Sequence, residues 1–143
     1  MNDRVELKKP VAEVYVAALN ELGYSASIDD EGDVEFKSDG VDLKFCAVID
    51  EDHHKFVSIS CLFFYKLSSK DEKTNVYIAC NIANLETKVA KTYLNRSGRS
   101  VSTSYECFVD ELTKENIMAA VRSGVVTTTA AMKNFVEALQ SNS

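Results

Sequence analysis

The stretch Phe56-Val-Ser-Ile-Ser-Cys-Leu-Phe-Phe-Tyr-Lys-Leu67 reads as one long strand, and its two faces decide the fold class. Successive side chains of a strand point to opposite faces, so Val57, Ile59, Cys61, Phe63, Tyr65 and Leu67 share one side and form a core row. Phe56, Leu62 and Phe64 share the other side with Ser58, Ser60 and Lys66. A Phe or Leu left in water forgoes roughly 1.5–3 kcal/mol of burial, so this second row needs a cover. A helix of the same chain, a second copy or a partner would each satisfy that need. Phe56, Leu62 and Phe64 are therefore the expected partner-binding or dimer-interface residues.

Before this strand, Val41, Leu43, Phe45, Ala47 and Ile49 alternate with polar residues and predict another strand. Alternation at Tyr24, Ala26 and Ile28, and again at Val34 and Phe36, predicts two shorter ones, with Asp29-Asp-Glu-Gly-Asp33 turning between them. The region from 24 to 67 is thus an antiparallel meander. Ahead of it lies a helix: Pro10 suits a first turn, Val11, Val14, Tyr15, Ala18 and Leu22 follow at helical spacing, and Gly23 caps the end.

After the long strand, Ser69 and Glu72 form a capping box that starts a second helix. Its apolar residues make two rows, Val76-Ala79-Cys80-Ala83 and Ile78-Ile82-Leu85, wide enough to contact more than one surface. A hairpin follows, with strands at 89–94 and 101–109, and then a last helix capped by Thr113. Gly124 and the run from Val125 to Thr129 are poor helix formers, so that helix either relies on packing or gives way to a short strand at 125–129. The order α-β-β-β-(β)-α-β-β-α defines an α+β fold.

Charge narrows the partners. A formal net charge of −6 repels phosphate backbones and anionic lipid, so neither nucleic acid nor membrane is an expected partner. The first residues lack a secretory apolar run and nothing approaches a membrane span of about 20 apolar residues, which makes a cytoplasmic location the expectation. The 143 residues suit a single domain spanning 1–143.

No catalytic constellation emerges. Cys46, Cys61, Cys80 and Cys107 are widely spaced inside apolar segments and read as reduced core thiols rather than nucleophiles, disulfides or ligands. His53 and His54 stand beside Asp50, Glu51 and Asp52, but neighbours on a strand diverge, so a solvated turn is the reading. Asp29 to Asp33 lacks the spacing of a calcium loop. No metal or cofactor is expected. Asn81 and Asn84 share one helix face; they either hold a ligand or satisfy nearby loop groups such as the turn before Val89.

The element order is similar to the type III secretion chaperone-like fold. More closely, the chain resembles the YbjN-type family of bacterial sensory transduction regulators. The matching segments are Leu22-Gly-Tyr24, Gly32-Asp-Val-Glu-Phe-Lys37, Phe63-Phe-Tyr-Lys-Leu67, Asn81-Ile-Ala-Asn84 and Val89-Ala-Lys-Thr-Tyr-Leu94, with a departure at Gly124 in the last helix. The resemblance implies a chaperone-like fold, a protein client and possible dimers, and it brings no catalytic residues. Two functions follow as expectations. One is a non-enzymatic protein-binding module, a chaperone-like or regulatory adaptor acting through its sheet and second helix, with a sheet edge as a second route for a client. The other is a small-molecule or peptide sensor with a pocket between the second helix and the sheet, lined by Asn81, Asn84 and Tyr65.

Overall fold

A computed structural model describes residues 3–141, so the ends of the expected 1–143 domain lie outside the described residues. The elements run α1 (Asp3–Glu21), β1 (Ser25–Ile28), β2 (Val34–Lys37), β3 (Phe45–Ala47), β4 (Phe56–Lys66), α2 (Lys73–Glu86), β5 (Ala90–Leu94), β6 (Ser100–Phe108) and α3 (Lys114–Ser141). The six strands form one antiparallel sheet in the order β1-β2-β3-β4-β6-β5. This is the α+β order expected from the sequence.

All three helices serve one face of that sheet. The alternating residues Val34, Phe36, Phe45, Ala47, Val57, Ile59 and Cys61 meet Val11, Tyr15 and Leu19 of α1 and Ile117 and Val121 of α3 in the main core. A second cluster joins Val76, Ala79, Cys80 and Ala83 of α2 to Val101 of β6 and Phe135 of α3. β4 and β6 therefore lie under helices on one side only.

Several boundaries differ from the sequence expectation. α1 begins at Asp3 and contains Pro10 in its interior rather than at its first turn. At its other end Gly23 behaves as expected: with φ +90° it closes a Schellman motif in which the Gly23 N–H reaches Asn20 O at 3.1 Å and the Tyr24 N–H reaches Leu19 O at 3.0 Å. The strand expected over 41–49 forms only at Phe45–Ala47, with one further bond from Val48 N to Ser58 O at 3.0 Å, and Val41 is exposed. The position that would oppose Lys44 on β4 falls where β4 itself bulges, and β2 ends at Lys37, opposite Lys44, so the ladder gives out before Phe45.

That bulge corrects the reading of the long strand. Pairing with β6 holds from Phe56 to Cys61, breaks, and resumes at Tyr65 with a shifted register. Phe63 takes φ +57°, a left-handed conformation costly for an aromatic residue, and its N–H is held by Ser102 Oγ at 2.9 Å. Three residues, Leu62 to Phe64, stand against the single Ser102, so the alternation is broken only inside the bulge and Tyr65 returns to the helix side opposite Val101. Phe63 thus leaves the core row and is 57% exposed, whereas Phe64 turns inward and packs edge-on against Phe135 at 5.4 Å between ring centroids. Phe64 does not belong to the outer row with Phe56 and Leu62; α3 covers it.

The capping box is present: Ser69 Oγ accepts from Asp71 N at 3.3 Å while the Glu72 carboxylate accepts from Ser69 N at 3.4 Å. It opens a short 3-10 turn, Lys70–Glu72, that leads into α2. Thr113 caps α3 by accepting from Asn116 N at 3.2 Å, and the helix runs unbroken through 125–129, so no strand forms there.

Candidate functional site

The helix-free face of the sheet is a trough rather than a flat surface. Its floor follows from the pairing of β4 with β6, which sets Ser58 opposite Glu106 and Ser60 opposite Ser104, with Lys91 of β5 beyond Ser104. Ser60 and Ser104 hydroxyls lie 2.8 Å apart, Ser58 lies 3.4 Å from Ser60, and Tyr93 OH lies 3.1 Å from Ser104. These short side chains are buried because taller neighbours rise around them: Phe56 and Leu62 along β4, Tyr93 on β5, and the turn at 50–52. The open trough offers a space of about 450 Å³.

The rim is apolar at both ends of β4. Phe56 and Phe108 pair across the strands with ring centroids 5.4 Å apart, and Phe108 is 75% exposed. At the other end the bulge presents Leu62, 36% exposed, beside Phe63. The walls carry charge. Lys91 forms an ion pair with Glu106, and on the opposite wall Asp50 accepts from the N–H groups of Asp52 and His53 at 2.9 and 3.1 Å. The Asp52 N–H, followed by that of His53, holds the Asp50 carboxyl below the usual carboxylate range. The trough therefore offers neutral hydroxyls below, aromatic and aliphatic edges above, and fixed charges at the sides.

Two of the three residues expected in the outer row, Phe56 and Leu62, line this trough. Phe63, Phe108, Tyr93 and Ser104 were not singled out. The repeats Ser58-Ile-Ser60 and Ser102-Thr-Ser104 carry the signal for a lane of small polar side chains, visible once the two strands are known to be paired. The bulge at Phe63 has no such local mark.

Asn81, Asn84 and Tyr65 do not converge. Tyr65 sits at the start of α2, donating from its hydroxyl to Glu72 Oε1 at 2.7 Å, and borders a cleft of about 380 Å³ with Asn75, Val136 and Leu139. Asn84 sits at the far end of α2 and spends its amide on β5: Nδ2 donates to Thr92 O at 3.0 Å and Oδ1 accepts from Thr92 N at 2.7 Å. Asn81 is exposed between them. The two rows of α2 part as well, with Val76, Ala79, Cys80 and Ala83 buried, Ile78 and Leu85 of the second row exposed, and Ile82 half-buried against the core.

One cluster of possible metal ligands occurs among the described residues: Asp29, Asp33 and Cys46. Its carboxylates are already committed. Asp33 accepts from Lys8 Nζ at 3.1 Å and from Ile49 N at 2.9 Å, and Asp29 accepts from the N–H groups of Glu31 and Asp33. Burial, and next the Asp33 charge, push the Cys46 thiol up to about 12. His53 and His54 are exposed in the turn, with His53 Nδ1 3.5 Å from Asp50.

Burial likewise raises the thiols of Cys61 and Cys80 to about 11. Thiolate is the reactive form, so at pH 8 these three cysteines are expected to react with a thiol reagent at least tenfold more slowly in the native chain than in urea. Native labelling of any of them at the unfolded rate would refute the assignment.

Comparison with known proteins adds the family. The model of the YbjN family, described as "putative bacterial sensory transduction regulator", matches residues 13–138. No curated protein and no solved structure matches the chain. No described helix is long and apolar enough to cross a membrane.

Proposed function

The chain belongs to the YbjN family, and from that premise we propose that it is a non-enzymatic regulatory adaptor that holds a protein partner on the helix-free face of its sheet. The observation that carries this reading is the trough itself, where Phe56 and Leu62 line a hydroxyl floor, exposed Phe108 packs beyond Phe56 and exposed Phe63 follows Leu62. Apolar edges around a polar, self-satisfied floor suit an extended segment. Its side chains fill the rim while its main chain meets hydroxyls rather than unpaired charges. Titratable groups on this face are paired or solvated, which supports binding rather than chemistry.

The test is affinity capture under mild crosslinking, with wild type and Leu62→Glu/Phe63→Glu as baits. Both residues are exposed, so the variant is expected to keep its native circular dichroism and to lose partner affinity at least tenfold. Phe64→Glu, by contrast, places a carboxylate against Phe135 and is expected to unfold the chain. A folded Leu62→Glu/Phe63→Glu variant that holds the same partner as tightly as wild type would remove the trough as the site.

A further inference from the structure

The two edges of the sheet are not alike. β5 is the last strand on one side, yet the middle of its outward main chain is occupied. Asn95 N bonds Ser100 O at 2.8 Å, which fixes the alternation along the β5–β6 ladder and turns the main-chain groups of Thr92 outward. The Asn84 amide takes both of them, supplying the donor and the acceptor that a neighbouring strand would supply. The next outward N–H, that of Ala90, is turned back onto Lys88 O at 2.8 Å. With Thr92 and Ala90 N taken, Leu94 is the one outward position of β5 left intact, too short a stretch for an added strand.

β1 ends the sheet on the other side without such protection. Asp29 N bonds Asp33 O at 2.8 Å, and the same alternation makes Ser25 and Ser27 the positions bonded to β2 and turns Ala26 and Ile28 outward. None of the described side chains bonds those outward groups, for the Ser25 hydroxyl goes to Asp39. The segment Ser25-Ala-Ser-Ile28 also lacks the charges, proline or bulge that ordinarily guard an edge, and Ile28 is 39% exposed.

We propose that β1 pairs antiparallel with β1 of a second copy, and that Asn84 closes the opposite edge so that assembly stops at two chains. The register follows from the parity. A two-fold axis at Ser27 sets Ala26 opposite Ile28 of the second copy in both directions, giving about four main-chain hydrogen bonds and placing apolar residues together on the helix side. An uncharged strand meets itself there without repulsion. Two free edges of different kinds would permit β1-to-β5 addition, which does not close; with β5 sealed, only the closed two-fold pair remains.

Sedimentation over a concentration series tests this. Wild type is expected to reach twice the chain mass. Ala26→Pro removes only an outward N–H and adds a ring at the joint, so it is expected to stay at one chain with native circular dichroism. Should that variant fail to fold, Ile28→Lys decides, since it puts an ammonium on an exposed position opposite Ala26 of the second copy. Asn84→Ala is expected to form species larger than two chains. Wild type at one chain throughout, or a folded edge variant still at two, overturns the pairing. Asn84→Ala remaining at two chains overturns the sealing role. Leu62→Glu/Phe63→Glu is expected to sediment as wild type does, which separates this edge from the trough.

Discussion

Asp33→Ala is expected to lower the stability of the chain by about 3–5 kcal/mol, measured as the change in free energy of urea unfolding. Asp33 and Lys8 are both buried, with the ammonium 3.1 Å from Asp33 Oδ1 and 3.1 Å from Glu31 O. The same carboxylate oxygen accepts from Ile49 N at 2.9 Å, so one side chain ties α1, the β1–β2 turn and the end of β3 together. Alanine would strand an ammonium and a main-chain N–H out of water. The loss measures the cost of orphaning those groups rather than the net worth of the pair. A double variant separates the two. Asp33→Asn keeps an acceptor for Ile49, and Lys8→Met keeps the aliphatic stem, so together they are expected to cost about 1 kcal/mol or more below the sum of the single losses. Strict additivity would show that the two groups do not interact.

This pair also explains why the start of α1 is illegible in the sequence. Pro10 has no N–H to donate and marks a natural first turn, which places the helix start seven residues too late. Lys8 contributes nothing to a helical apolar stripe read from 1 to 22. Its partner is 25 positions away, across the Asp29–Asp33 turn. Gly32 completes the arrangement, since a Cβ there would lie 3.0 Å from Lys8 Cδ and 3.4 Å from Val5 Cα. Burial of Val11, Ala12, Tyr15, Ala18 and Leu19 beyond the proline anchors the rest of the helix.

The trough divides in the same way. Phe56 and Leu62 were legible because period-two alternation is a local signal that survives until the register changes. Phe63 and Phe64 were assigned to the wrong faces because a bulge is set by the partner strand. Ser102 supports it by accepting from Phe63 N and bonding the Asn95 amide, and both partners lie more than thirty residues from Phe63 in sequence. The two readings left open for Asn84 likewise needed the neighbouring strand: its amide meets the main chain of Thr92, three residues past the Val89 that the sequence pointed to. Adjacent aromatics in a strand interior carry no mark of which will face inward.

Gly124 is where local propensity and packing point in opposite directions, and it yields the second large effect. In an exposed helix, Gly→Ala stabilises by about 1 kcal/mol. Here a Cβ on residue 124 would lie 2.7 Å from Ile59 Cβ and 2.9 Å from its Cγ1. Ile59 is fully buried on the central strand β4, so it has no free volume in which to retreat, and α3 would have to lift from the sheet. Overpacking of a tight core costs about 1–3 kcal/mol, which outweighs the propensity gain. Gly124→Ala is therefore expected to lower the urea midpoint, and the bulkier, β-branched Gly124→Val to lower it further, by about 3 kcal/mol in free energy. Replacing Val126, an exposed residue two positions on in the same helix, with alanine controls for propensity and is expected to leave the midpoint nearly unchanged or slightly raised. The following Val/Thr run is accommodated differently. Thr128 donates its hydroxyl to Gly124 O at 2.7 Å and Thr127 donates to Ser123 O at 2.9 Å, keeping their polar groups inside the helical hydrogen-bond pattern. α3 thus stays helical across the crossing, and the missing side chain at residue 124 lets it approach Ile59 closely. A gain in stability on Gly124→Ala would mean that α3 does not bear on β4 at that point.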